Sequence, residues 1–202
     1  STGTITGVDT GKQRLRVLSQ STKAEGKYFF ADGTKVMYDH NGVPVWYLPD
    51  VDSNNVNECD LKLTRDGTIT FLKNSKAYEI NYDGKILWKG IPIITEDSMV
   101  CMYHHALTKL SNGNYMSMLS SPAPIVDIEN RSKPAKPERK RYFPDVHEGR
   151  IVELDKSGHI VWEWETSNYH KESDLYALTK QNDSCAVDFH ENAFFLDERD
   201  SI

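Results

Sequence analysis

A repetitive all-β fold is what this sequence predicts, and three observations predict it. Short runs rich in Val, Ile, Tyr, Phe, Trp and Thr succeed one another along the chain. The pairs Asp32-Gly33, Asn41-Gly42, Asp66-Gly67 and Asp83-Gly84 separate those runs, and Asp-Gly or Asn-Gly tolerates the positive φ of a tight hairpin. Long helical periodicity is nearly absent, and Glu172 to Lys180 is the best helical candidate.

The elements can be justified in order. Lys27-Tyr28-Phe29-Phe30-Ala31 reads as a strand that turns at Asp32-Gly33 into Thr34–Tyr38. Asn41-Gly42 leads into a strand over Val43–Leu48. Leu61–Thr64 turns at Asp66-Gly67 into Thr68–Leu72, and Ala77–Ile80 turns at Asp83-Gly84 into Lys85–Trp88. Residues 1–26 precede this pattern and are expected to be an extension or linker.

Composition bounds what such a chain can be. Its 202 residues suit one ordinary domain, and 38% hydrophobic with 27% charged residues suits a globular chain with a core. Twenty-four Lys and Arg against thirty Asp and Glu give a formal charge of −6, against a dedicated nucleic-acid binder. No run approaches the ~18 apolar residues of a membrane-spanning helix. Cys59, Cys101 and Cys185 show no C-x-x-C spacing and can form at most one bridge. The chain opens at Ser1 without a charged-then-apolar leader, as after leader removal or trimming, and a secreted or periplasmic location is expected.

Internal repetition sharpens the fold class. Three segments share one grammar: Tyr38–Trp46, Ile80–Trp88 and Leu154–Trp162. In each, an apolar strand and a turn acid or amide precede a Gly, and a Trp stands four residues after it. The first two glycines are 42 residues apart and the third comes 74 later. A second grammar, Leu61–Thr68 and Ala106–Asn114, alternates with the first at a glycine spacing of 46. A period of about 40–50 residues holding four short strands is the signature of a β-propeller blade. A β-sandwich also strings hairpins together, but it gives no reason for the recurring Gly-to-Trp spacing. Residues 27–202 therefore read as a partial β-propeller of about three and a half blades. The excess before the third Trp falls in an insertion at about 121–148, whose Arg131–Arg141 stretch is basic and Pro-rich. It reads as a solvated surface loop, or a basic flap for an anionic ligand.

Candidate chemistry gathers at the blade openings. Met102-Tyr103-His104-His105-Ala106-Leu107 opens one blade and Asp188-Phe189-His190-Glu191-Asn192-Ala193 the next. The matching place one blade earlier holds Cys59-Asp60. The first strand of a propeller blade is innermost, so His105 and His190 are expected to face one central cavity. On a regular strand His104 and His105 alternate sides, leaving His104 the poorer liner. That also weakens a zinc reading, which wants three converging ligands. Neither a Gly-x-Ser-x-Gly elbow nor a phosphate-binding Gly-rich loop occurs.

Taken in order, Tyr103–Tyr115, Gly149–Asp155 through Trp162-Glu163-Trp164, and Asp188–Ala193 resemble the arylsulfotransferase family. Those proteins are PAPS-independent aryl-sulfate sulfotransferases on a six-bladed propeller. The resemblance implies sulfuryl transfer from a phenolic sulfate ester to a phenol through a transient sulfohistidine, with no cofactor and no metal. His105 matches the His of the family's His-Asp opening, although Ala106 replaces the Asp. His190 and Asn192 match its His-x-Asn opening. His105, His190 and His104 are thus the catalytic candidates, with Asn192 and Tyr103 as substrate-binding candidates. The family's nucleophilic His and Arg lie further along, beyond Ile202. Ala106 leaves room for a second reading, a propeller used for binding or assembly without catalysis. A dehydrogenase of the PQQ type shares the fold but calls for more Trp repeats and calcium-binding carboxylates.

Three and a half blades leave apolar faces and strand edges open, which invites pairing with another chain. The expectation is that a second polypeptide or further chain completes the propeller. Size-exclusion chromatography of the isolated 202 residues should show association or aggregation. A cooperatively melting monomer of 23.1 kDa overturns that expectation.

Overall fold

The computed structural model describes residues 14–19, 26–31, 33–52, 58–94, 100–125, 141–169, 187–188 and 192–196. They form antiparallel meanders, as an all-β propeller reading requires. In the first sheet, β1 (Tyr28–Ala31), β2 (Val36–Asp39) and β3 (Pro44–Tyr47) lie side by side in chain order. The second sheet is a four-strand meander of β4 (Glu58–Leu63), β5 (Ile69–Lys73), β6 (Lys76–Ile80) and β7 (Ile86–Lys89). The short β8 (Ile93–Ile94) leads into the third sheet, β9 (Val100–Lys109), β10 (Tyr115–Ile125), β11 (Arg141–Leu154) and β12 (Ile160–Glu165). A last short strand, β13 (Val187–Asp188), runs parallel to β11. The helical element among the described residues is one 3-10 turn, Thr166–Asn168, so no helix there is long and apolar enough to cross a membrane. The helical candidate Glu172–Lys180 lies outside the described residues.

The three Gly-to-Trp segments adopt one local conformation. Asp39 Oδ1 accepts from the N–H groups of Asn41 and Val43, Asn81 Oδ1 from Asp83 and Lys85, and Asp155 Oδ1 from Ser157 and His159. These Asx turns need a left-handed residue next, and Gly42, Gly84 and Gly158 supply it at φ 71°, 83° and 86°. A register shift then precedes each Trp pair: Met37 opposite Trp46, Glu79 opposite Trp88, Glu153 opposite Trp162. Trp46, Trp88 and Trp162 therefore stand on the last strand of successive sheets.

The two inner strands of the second sheet are buried on both faces. All five residues of β5 are inaccessible, as are four of the five in β6. Alternation then sorts side chains between two cores instead of between core and water. Ile69, Phe71, Tyr78 and Ile80 join Leu61 and Val51 under the first sheet, where Phe30, Trp46 and Leu48 pack on them. Leu72, Ala77 and Trp88 join Tyr103, Leu107, Tyr115, Leu119, Val152 and Leu154 of the third sheet. Trp46 meets Tyr82 edge-on and donates its indole N–H to the Tyr82 carbonyl at 2.9 Å. Trp88 stacks on Tyr115 with ring centroids 3.7 Å apart. Trp162, on the last strand of the third sheet, is 48% exposed beside the exposed Val161.

Part of the 121–148 segment is strand where the sequence suggests a loop. Ser121 pairs with Glu148, Pro122 with His147, Pro124 with Tyr142 and Ile125 with Arg141, so β10 and β11 continue paired into the segment. Beyond Ser120, β10 pairs with β11 on one side only, and a Pro on it can sit with its missing donor on the other side. The basic stretch 131–140 lies outside the described residues.

A buried carboxylate joins the second sheet to the third. Glu79, 2% exposed, accepts from Thr68 Oγ1 at 2.5 Å, from Lys109 Nζ at 2.9 Å and from the Tyr115 hydroxyl. Burial, the largest single influence, pushes its pKa up, yet the bonds from Thr68, Tyr115 and Lys109 outweigh it and hold the carboxyl below its ordinary 4.5. Its contribution to stability is therefore complete above about pH 4.5 and lost as pH falls through the lower folded value. Glu79→Gln should lower stability at neutral pH by roughly 1.5–3 kcal/mol, the range for hydrogen bonds to a charged group. The variant should also show a shallower loss between neutral and acid pH in urea titrations than the parent chain. Equal slopes would show that Glu79 does not titrate with folding.

Candidate functional site

The site grows from an irregularity shared by the first strands of the second and third sheets. Between β4 and β5 the register passes from Lys62 opposite Thr70 to Cys59 opposite Leu72, leaving one extra residue on β4. Between β9 and β10 it passes from Leu107 opposite Ser117 directly to His104 opposite Met118. His105 and Ala106 thus have no opposite residue on β10. Each bulge carries a non-glycine residue in the left-handed region, Asp60 at φ 59° and His105 at φ 54°. That conformation costs an L-residue about 1–2 kcal/mol, and Asp and His are among the types found there most often.

Side chains hold the bulge of β9 where ladder partners do not. Ser117 Oγ donates to the Ala106 carbonyl at 2.8 Å. The Leu107 N–H donates to Asp60 Oδ2 at 2.6 Å, across the boundary between sheets. Lys62 Nζ donates to the same carboxylate oxygen at 2.9 Å and to the Leu107 carbonyl at 3.1 Å. The Asp60 side chain is 16% exposed and that of Lys62 41%, so the pair lies at the edge of solvent.

The bulge also overturns the expected alternation of the two histidines. Their rings make edge-to-face contact, centroids 5.1 Å apart and planes at 76°, and both residues are half-buried. An extra residue bends the strand and increases its local twist, so neighbours that would face apart are brought together. His190 lies outside the described residues, and Asn192 is exposed in an irregular segment. Tyr103 is 3% exposed and donates its hydroxyl to the Ile91 carbonyl at 2.9 Å, so here it packs between sheets. Its ring lies so close to Gly90 that a Cβ there would come within 2.8 Å of it.

Other polar groups nearby have structural partners. Arg150 on β11 pairs with Glu163 and, at 2.7 Å, with Glu165, and its guanidinium reaches the Cys101 sulfur at 3.8 Å. Burial pushes the Cys101 thiol up, which disfavours a thiolate nucleophile. Among the described residues, no group of three or more His, Cys, Asp and Glu gathers where a metal ion could be held.

The family model described as arylsulfotransferase (ASST) matches residues 6–202. The chain belongs to the arylsulfotransferase family. No match was found among curated proteins. The arylsulfotransferase match takes in all three sheets and both bulges. Within it, sequence reasoning located His104 and His105 at an opening and placed Cys59-Asp60 at the equivalent position. It missed Asp60, Lys62 and Ser117 as supports. The available signal was an Asp at a blade opening, a residue type that tolerates the left-handed conformation.

The left-handed backbone at His105 makes a direct test possible. His105→Gly removes the imidazole and relieves the strain, at the cost of extra chain entropy. The variant should be unchanged or up to about 1 kcal/mol more stable in urea unfolding. His105→Val, β-branched at positive φ, should be less stable than the parent. Equal losses in both variants would place His105 in ordinary extended backbone.

Proposed function

We infer that this arylsulfotransferase-family chain belongs to a protein that moves a sulfuryl group from a phenolic sulfate ester to a phenol. The family match over residues 6–202 carries the reading. The paired imidazoles on the strained bulge of β9 support it. In such a transfer the sulfur–oxygen bond to the donor phenol breaks and a new one forms to the acceptor oxygen, by way of a sulfohistidine in the family mechanism. Negative charge spreads over the outer sulfuryl oxygens as it does in phosphoryl transfer, so positioned donors and cations do most of the stabilising. An imidazole near neutrality can also protonate a phenolate leaving group or take the acceptor's proton. His105 is assigned such a supporting role, with His190 and Asn192 as its partners from the following opening, His104 beside it, and the covalent step belonging to another His. A secreted or periplasmic setting is part of the same proposal.

A second reading is a propeller used for binding or assembly. Ala106 favours it, because a buried methyl stands where the family's opening has an acid. Assay of the intact protein with para-nitrophenyl sulfate and phenol separates the two. Under the enzyme reading, nitrophenol release depends on phenol, and His105→Gln lowers kcat by roughly 10²-fold or more, the usual worth of a general acid or base. His190→Ala leaving the rate unchanged would deny His190 a catalytic role. No phenol-dependent release from the parent protein favours the binding reading.

A further inference from the structure

We propose that the Asp60–Lys62 pair of the second sheet is a positioning device that sets the His104–His105 imidazoles of the third sheet by clamping the Leu107 peptide. The pair holds that peptide residue at both poles: the carboxylate takes the Leu107 N–H and the ammonium donates to the Leu107 carbonyl. Lys62 Nζ also reaches Thr108 Oγ1 at 3.5 Å, extending the clamp one residue along β9.

This contact falls where it controls most. Upstream, His104 is registered against Met118 on β10, and downstream the ladder resumes at Leu107 opposite Ser117. Between those two points β10 has no residue to offer, so the path of the chain through His105 depends on its fixed ends and on Ser117 at the Ala106 carbonyl. Moving the Leu107 peptide therefore moves the downstream end of the two-residue bulge, and with it the φ of His105. A left-handed non-glycine persists only where its surroundings over-determine it. Asp60 contributes from a left-handed bulge of its own, so one strained position braces the other across the sheet boundary.

The chemistry of the pair fits a positioning role better than a packing one. Its two charges cancel, and one carboxylate oxygen serves both the amide and the ammonium. The ammonium keeps its direction through three acceptors, a carboxylate, a carbonyl and a hydroxyl. An apolar pair in their place could fill volume but could not hold an amide N–H and its carbonyl in fixed directions.

The test uses the intact protein with ¹³C-labelled histidine, the His105 signal being assigned by its loss in His105→Gln. Asp60→Asn keeps a side chain that tolerates positive φ but removes the charge, and Lys62→Met keeps the stem without the ammonium. Each should remain folded and shift the His105 imidazole signal, and Lys62→Arg should return it toward the parent position. The proposal rests on the sulfuryl-transfer reading only for its activity arm. There, each variant should lower kcat for para-nitrophenyl sulfate at least about tenfold with KM within about twofold, as expected for a misplaced but intact catalytic group. A folded Asp60→Asn with an unchanged His105 signal overturns the clamp, whatever the activity. Absence of transfer by the parent protein sinks the functional reading alone, and the imidazole signals still decide the clamp. If Asp60→Asn does not fold, an unmoved signal in Lys62→Met overturns the proposal and a shift reversed in Lys62→Arg upholds it.

Discussion

The carboxylate of Glu79, buried between two sheets, is the constraint from which the rest of this structure can be built. A charged group in that position is tolerable only with full hydrogen bonding, because burial penalises the ionised form. Thr68 comes from its own sheet, while Lys109 and Tyr115 come from the last residue of β9 and the first of β10. Satisfying Glu79 thus fixes the turn end of the third sheet against the second. Lys109 is pulled down by burial and raised on balance by its bonds to Asp66 and Glu79, so the pair stays ionised across the neutral range. The ring of Tyr115, held by its hydroxyl, is then presented to Trp88 at stacking distance.

With the turn end fixed, β9 could still twist about its own axis, and the Asp60–Lys62 contact beside its bulge opposes that. Glu79 and the Asp60–Lys62 pair grip the same strand at two places, Lys109 and Leu107. The strand also buries Leu107 completely, which anchors it through packing as well. Apolar contact alone supplies adhesion without direction, so the polar contacts are what distinguish one rotational setting of the blades from another. The two strained residues lie next to this second grip. His105 belongs to the segment that carries the arylsulfotransferase likeness, so backbone strain and candidate chemistry coincide on one stretch of chain.

Local rules made a large part of this legible from the residues. The Asx side chain, the Gly three residues later and the Trp four beyond that define a turn, a strand start and a packing residue from interactions within ten residues. The repeat predicts that Trp46, Trp88 and Trp162 pack between neighbouring sheets; Trp46 and Trp88 do, and Trp162 is 48% exposed. The same rules failed where long-range pairing intervenes. The basic, Pro-rich Arg131–Arg141 stretch suggested a loop over about 121–148, and pairing between β10 and β11 carries strand into both ends of it. The alternation of His104 and His105 assumed a regular strand, and a bulge places the two rings in contact instead.

What the sequence by itself determined is therefore the β class, the order of hairpins, the turn glycines and the opening that holds the histidines. These depend on propensities and hydrogen bonds between residues close in the chain. The tertiary structure alone decided which polar residues of one sheet complete the bulge of the next. Asp60 and Leu107 are 47 residues apart, and their meeting depends on how two sheets are turned against each other. No local pattern encodes that angle. It is set by Glu79, Tyr115 and Trp88 at the same interface, so the site could be located from the sequence but its supports could not.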